Sequence, residues 1–325
     1  MSDDGRNSQV MPTQDSDISW PVLRQIVHDW AGADAELDEV KLLDGGNVAT
    51  TAAIHTKSGD RAVLKITQHR IDRAYADEAH QLTMLRQMGL PAPQVYRCEI
   101  GTLDRPFSYL LMEFRDGVDL TRAKAACTPE EFDLIQGQLA GLLRHLHAHT
   151  DTHYHRVVAP EAAQPQRFDA WGTLFRNVYD PIWNEAERNG HLPPKCRKTI
   201  GKVHERLPQL LARDDRPRLL HGDLWSANVL VSKNPDTGSW EISAILDPAC
   251  RYGDVECELA YLELFHTVTA AFLRAYLGEK HLPNDYHRVR KPIYHLYEML
   301  NHLQLYGPEY LKPTLTAVER VAPLV

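Results

Sequence analysis

Leu219-Leu-His-Gly-Asp-Leu-Trp-Ser-Ala-Asn-Val-Leu230 is the stretch of this chain whose reading decides its fold. It carries His221, Asp223 and, further along, Asn228, in the pattern His-x-Asp-x-x-x-x-Asn. A β-type run opens at Asn228 and reaches Val231, a turn follows at Asn234-Pro-Asp-Thr-Gly238, and a second apolar run covers Ile242 to Leu246. Asp247 comes next, inside Ala244-Ile-Leu-Asp-Pro-Ala249. A hairpin returns the end of its second strand to the loop before its first, so this order sets Asp247 beside Asn228. Magnesium takes oxygen ligands and keeps several waters, so one carboxylate and one amide oxygen suffice where phosphates supply the rest. Asp223 then stays clear of the metal and faces an acceptor hydroxyl. The set matches what phosphoryl transfer from Mg-ATP requires: a base for the hydroxyl, and a carboxamide and a carboxylate for Mg2+.

The remainder of the chain is compatible with that chemistry. At 325 residues, two lobes are expected rather than one small core. Hydrophobic residues make up 43% and charged residues 25%, an ordinary globular mixture. A formal charge of −8 argues against a nucleic-acid partner, which calls for a basic face. No apolar run reaches the length of a membrane span, and residues 1–17 are polar and acidic, without the pattern of a signal peptide. They read as a disordered tail. The five scattered cysteines, without a Cys-x-x-Cys pair, fit free thiols in a reducing cytoplasm and speak against zinc.

Residues 18–116 read as a first lobe. Trp20 to Trp30 has helical spacing, with apolar residues at Val22, Leu23, Ile26 and Val27. Strands are expected at Ala49–Thr56 and Arg61–Thr67 around a Ser58-Gly59-Asp60 turn, then at Gln94–Glu99 and Ser108–Phe114. Between the two pairs, Arg70 to Gln87 reads as a helix with Ala74, Ala79, Leu82 and Leu85 inward. Residues 117–325 are mainly helical. Thr128-Pro-Glu-Glu131 is a capping box ahead of an apolar stripe at Ile135, Leu139, Leu142, Leu143 and Leu146. Further helices are expected at Trp171–Glu187, Lys195–Leu211, Val255–Leu277 and Pro292–Leu305. The fold class is therefore α+β and bilobal: a small antiparallel β-sheet lobe with one helix, and a larger helical lobe that carries catalysis and substrate.

Lys65 sits in the apolar strand Ala62-Val-Leu-Lys-Ile66, where it can reach the α- and β-phosphates, with Glu78 of the next helix, or else Asp77, as its partner. Gly45, Gly46 and Asn47 lie where a phosphate-covering loop belongs, and missing Cβ atoms let backbone amides come close to phosphate. Glu113, Phe114 and Arg115, at the crossing between lobes, offer backbone groups to adenine. Other polar residues read as structural. His145, His147 and His149 fall at a helix end that suits cations, and they, with His153 and His155, lack the cysteine or paired acid of a metal site. Cys250 and Cys257 read as small buried hydrophobes, Tyr294, Tyr297 and Tyr306 as helix core or pocket wall, and Glu263 and Glu298 as solvated or paired helix charges.

The tract from Leu219 to Phe265 resembles the fructosamine kinase (ketosamine-3-kinase) family, within the aminoglycoside-phosphotransferase-like kinases. His-Gly-Asp-Leu-Trp-Ser-x-Asn, Asp-Pro-Ala and Tyr-Gly-Asp-x-Glu-x-x-Leu-Ala follow that family's order and spacing, and Trp225 sets it apart from most relatives. Trp171-Gly-Thr-Leu-Phe175 and Tyr294-His-Leu-Tyr-Glu-Met-Leu-Asn301 are also similar, so the likeness runs from about Trp20 onward. The resemblance implies a protein-kinase-like fold and ATP-dependent phosphorylation of the sugar 3-hydroxyl of a ketoamine, on a small amine or a glycated protein lysine, a deglycation activity. It implies Asp223 as base, Asn228 and Asp247 as Mg2+ ligands, Lys65 and Glu78 as the phosphate clamp, Glu113 to Arg115 as adenine hinge, and Trp225, with His221, on the substrate side. The chain departs from the family at Ala227, where glycine is common, at Glu258, where aspartate is frequent, and over His153 to Gln166. Asp-Pro-Ala stands in place of Asp-Phe-Gly and no Ala-Pro-Glu follows, which argues against a protein serine or threonine as acceptor. The alternatives are an aminoglycoside- or choline-directed phosphotransferase of the same fold and a non-catalytic nucleotide-binding pseudokinase. Oligomeric state is not legible in the sequence.

Overall fold

Ala62, Leu64 and Ile66 alternate with Val63 and Lys65 along one strand, and this period of two organises the first part of the chain. The computed structural model describes residues 19–43, 50–68, 72–161, 164–188 and 190–325. They divide into two units, the first holding the described residues up to Thr83 together with Pro93–Phe114, the second Met84–Ala92 together with Arg115–Val325.

In the first unit, β1 (Leu37–Leu42), β2 (Thr50–Thr56), β3 (Arg61–Gln68), β4 (Val95–Glu99) and β5 (Phe107–Glu113) form one antiparallel sheet in the order β1-β2-β3-β5-β4. Thr56 and Gly59 shape the β2–β3 turn: the Asp60 amide donates to Thr56 Oγ1 at 2.9 Å, and Gly59 takes φ 93°, a conformation glycine adopts without penalty. Helix α1 (Trp20–Ala31) packs Leu23, Ile26 and Val27 against Ile54, Leu64, Ile66 and Tyr109. The same alternation sends Lys65 to the opposite face from Leu64 and Ile66. Helix α2 (Ala74–Gln87) starts later than its sequence pattern suggests. Ala74, expected inward, is exposed, and Tyr75 is buried in its stead, its hydroxyl bonded to Thr67 at 2.7 Å. Strand β1 was not anticipated, because its exposed outer positions break the apolar alternation.

The second unit opens with β6 (Val118–Asp119), α3 (Leu120–Ala126) and α4 (Pro129–His147). The capping box at Thr128 is formed as expected, Glu131 N donating to Thr128 Oγ1 at 3.2 Å and Thr128 N to Glu131 Oε2 at 2.8 Å. The chain continues through β7 (His155–Arg156), α5 (Trp171–Arg188), α6 (Pro194–Glu205), α7 (Leu207–Leu210), β8 (Arg218–Leu220), β9 (Val229–Lys233), β10 (Trp240–Ile245) and β11 (Arg251–Gly253). Helices α8 (Val255–Leu264), α9 (Ala270–Leu277), α10 (Lys291–Tyr306) and α11 (Leu311–Val321) complete it. Two small antiparallel sheets, β10-β9-β6 and β7-β11-β8, hold the loops of interest. Phe175, Tyr294, Tyr297 and Leu300 lie in the helical core; Trp171 Nε1 donates to Tyr294 at 3.0 Å, and His204 bonds Tyr297 at 2.6 Å.

Two expected helices are each split. Lys195–Leu211 breaks at Arg206, because Pro208 stands in the first turn of α7 and suits a helix start rather than an interior. Val255–Leu277 breaks after Leu264: His266 takes φ 53°, and Thr269 caps α9 by accepting from Ala271 N at 3.2 Å. Hydrophobic period alone cannot show such a break when apolar residues continue through it.

Candidate active site

The short strand β8 delivers the chain into the loop from His221 to Asn228, and the loop is fastened from below by one buried carboxylate. Glu258 Oε1 accepts from Gly222 N at 2.7 Å and Oε2 from His221 N at 3.3 Å. The same Oε2 meets His147 Nε2 at 2.7 Å, and His147 Nδ1 bonds Tyr276 at 2.6 Å. His147 is therefore buried and paired with an acid, which corrects its reading as a cation of the helix end. Glu258 sits deep in the protein, yet its bonds to His147 and charge from His147 and His221 hold its carboxyl below the ordinary value against a large opposing effect of burial. Gly222 is needed here on two counts: it adopts φ 85°, and a Cβ at this position would stand 2.2 Å from the Ala249 carbonyl oxygen. Ala249 N donates in turn to His221 O at 2.8 Å.

Asp223 projects from this loop. Burial pushes its carboxyl up to about 6, with Asp247 and Glu298 adding to the rise, while a hydrogen bond from Tyr261 and the charge of Arg251 oppose it. Tyr261 donates its hydroxyl to Asp223 Oδ1 at 2.5 Å. Asn228 donates Nδ2 to the Asp223 carbonyl at 2.8 Å, so its amide oxygen is the atom left for another ligand. The hairpin of β9 and β10 then closes as expected: Leu246 N donates to Asn228 O at 2.9 Å, which brings Asp247 alongside. Asp247 takes φ 55°, a left-handed conformation that aspartate tolerates at a cost of about 1–3 kcal/mol. An amide oxygen and a carboxylate are hard ligands and fit Mg2+. Among the described residues no trio of His, Cys, Asp or Glu converges to hold a metal.

His221 is fully buried, and burial holds its imidazole below the ordinary value. Its Nδ1 accepts from Asp223 N at 3.4 Å. The ring braces the loop from inside, which corrects its expectation as a substrate-side residue. Trp225 is 40% exposed, unusual for so large an apolar ring. Tyr261 was missed from the sequence, though it lies one helical turn beyond Glu258 on the same face of α8. Glu298 was read as an ordinary helix charge. It accepts instead from the Tyr179 hydroxyl and lines a recess beside Asp223, with Cys257 also in the wall.

In the first unit, Lys65 Nζ donates to Glu78 Oε1 at 2.6 Å, with only 12% and 15% of the two side chains exposed. Glu78, the partner expected first, thus bonds to Lys65. Gly45, Gly46 and Asn47 lie outside the described residues. Glu113 ties to Gln94 through both backbone and carboxylate, at 2.8 and 3.0 Å. Phe114 receives the Arg61 guanidinium at 4.8 Å from its ring centre. Arg115, in the second unit, donates to Ser243 O at 2.7 Å. No helix among the described residues is long and apolar enough to cross a membrane.

The chain is similar to known proteins over nearly its whole length. The fructosamine kinase family model matches residues 19–323. A protein of Klebsiella aerogenes named as a probable ketoamine kinase is 28% identical over 313 residues, covering 92% of this chain and 98% of that protein. A crystal structure from Haemophilus somnus, assigned provisionally as a fructosamine-3-kinase, superposes with a TM-score of 0.72 at 21% identity, over 92% of this chain and 96% of the other. The gentamicin complex of APH(2")-IIa superposes with a TM-score of 0.58 at 14% identity, over 94% and 96% of the two chains. These last two likenesses establish a shared kinase-like phosphotransferase fold.

Proposed function

We propose that this chain, which belongs to the fructosamine kinase family and is thereby an ATP-dependent phosphotransferase, phosphorylates the 3-hydroxyl of a ketoamine. The observation that carries the proposal is the Asp223 carboxylate, raised to about 6 and held by Tyr261 and the loop that Glu258 fastens. A base with that affinity is ionised at neutral pH yet basic enough to take a hydroxyl proton as it is released.

In the proposed reaction the acceptor oxygen bonds to the γ-phosphorus of ATP, the bond from that phosphorus to the β,γ-bridging oxygen breaks, and ADP leaves. The hydroxyl proton passes to Asp223. Tyr261 occupies Oδ1, and Oδ2, which accepts only a long bond from Asn228 Nδ2 at 3.4 Å, keeps a lone pair to receive it. Lys65, oriented by Glu78, offsets charge on the α- and β-phosphates. Asn228 and Asp247 hold Mg2+, which when bound neutralises phosphate charge. Trp225 flanks the sugar, and the backbone from Glu113 to Arg115 receives adenine. A phosphate on the sugar of such an adduct promotes its breakdown and frees the amine, hence deglycation.

The discriminating experiment is a substrate panel with Mg-ATP. Turnover of ribulosyl- or fructosyl-amines but not of aminoglycosides or choline supports the reading. Turnover confined to an amino alcohol would overturn it in favour of another phosphotransferase of this fold. Binding of Mg-ATP without transfer to any acceptor would favour a pseudokinase.

A further inference from the structure

A small recess open to solvent lies beside Asp223 and is lined by Gly222, Tyr261, Tyr179, Arg251 and Glu298, among others. Its charges are not all used by the protein. Glu258, also in the wall, is committed to two backbone amides and to His147. Glu298 accepts from Tyr179, and a single hydroxyl does not saturate a carboxylate. Arg251 comes from β11 and lies against the loop so closely that a Cβ on Gly222 would be 3.3 Å from its Nε. Among the described residues the Arg251 guanidinium makes no hydrogen bond and no ion pair; Glu298 and Glu258 act on it only through space. Arg251 is only partly buried, so its donors meet the water of the recess, which an acceptor on a ligand can replace. A cation and a carboxylate thus share one small recess, next to the catalytic carboxylate, without neutralising each other by direct contact.

A zwitterionic acceptor satisfies both. In a ketoamine the secondary ammonium lies near the carbon bearing the reacting hydroxyl. Where the sugar is joined to the α-amino group of an amino acid, the carboxylate lies just beyond that nitrogen. An adduct on a lysine ε-amine carries its carboxylate a whole side chain away. We propose that Arg251 and Glu298 determine acceptor specificity, Arg251 taking the carboxylate and Glu298 the ammonium, so that the preferred substrates are free ketosyl amino acids linked through the α-amino group. This deepens the ketoamine reading and rests on it.

The test compares fructosyl-glycine with fructosyl-glycinamide, which share sugar and amine and differ in the carboxylate. Affinity is read by calorimetry and kcat/KM by ADP release. The acid is favoured by about tenfold or more, as a charge-assisted bidentate contact provides. Arg251→Met removes the preference, and Arg251→Lys restores part of it, since the charge returns without the planar fork. Glu298→Gln, which still accepts from Tyr179, weakens both compounds alike. Equal affinities of acid and amide for the unaltered protein overturn the proposal without recourse to any variant. So does an acid preference that survives Arg251→Met in protein with an unchanged melting temperature. If the acid binds better through Arg251 but neither compound is phosphorylated, the specificity pair stands and the ketoamine kinase reading fails. Absence of binding by either compound overturns both.

Discussion

Asp223 illustrates how much of a functional residue is local pattern and how much is surroundings. Its place in His-x-Asp-x-x-x-x-Asn was legible in the chain, as was Asn228 at the right spacing. Its raised proton affinity was not, because burial, Asp247 and Glu298 raise it, and Tyr261 and Arg251 oppose the rise, all from distant positions. For the same reason Arg251 and Glu298 were passed over: a charged residue looks solvated in sequence until packing encloses it. The raised value has a pH consequence. kcat/KM falls on the acid side with an apparent pKa near about 6, because the base must be ionised. Tyr261→Phe removes a bond that favours the ionised form, so that limb moves to higher pH; a limb that stays fixed or moves down contradicts the assignment. Asp223→Asn lowers turnover by orders of magnitude and leaves ATP affinity largely intact. Folding stability changes with opposite sign. The folded state holds this proton more tightly than the unfolded chain, so the group's contribution is fully present below its ordinary value of about 4 and is lost as pH rises through its folded value. At neutral pH Asp223→Asn therefore melts higher than the unaltered protein, and the difference closes in acid.

At the scale of elements, the hairpin of β9 and β10 was readable because its turn signal and its two apolar runs are contiguous. The capping box at Thr128 was readable for the same reason. The split between α8 and α9 was hidden, since apolar residues run through the break and Thr269 declares itself a cap only once Gln136 of α4 donates to Thr267 O at 3.2 Å. The fastening of the loop by α8 was likewise invisible. Glu258 had registered only as a replacement for aspartate, whereas it receives two amides of the loop from His221 to Asn228. The close approach of that loop to Ala249 yields a sharp expectation for Gly222→Ala. Its Cβ would collide with the Ala249 carbonyl at 2.2 Å while the backbone holds φ 85°. The left-handed conformation alone costs about 1–2 kcal/mol, and relief of the collision moves Asp223. Thermal unfolding and initial rates check it: melting falls and kcat drops steeply. A variant that melts and turns over like the unaltered protein would show that the loop is not fastened there.

At the scale of the molecule, the division into a sheet-based unit and a mainly helical unit follows from a change of period, from two in β2, β3 and β5 to helical spacing from α3 onward. Each unit carries its own part of the proposed machinery, the Lys65–Glu78 pair in the first and Asp223, Asn228 and Asp247 in the second. The two parts are separable by experiment. Asp247→Asn weakens magnesium-dependent nucleotide binding, while Asp223→Asn does not, as titration of Mg-ATP into each variant will show; equal losses would deny them distinct roles. The most direct test of the whole account is phosphorus NMR of the product formed from Mg-ATP and a ketosyl amino acid labelled with carbon-13 in the sugar. The account predicts a new phosphomonoester coupled to carbon 3, absent with Asp223→Asn. A phosphate on another carbon, or no phosphorylated ketoamine while an amino alcohol is consumed, would contradict it.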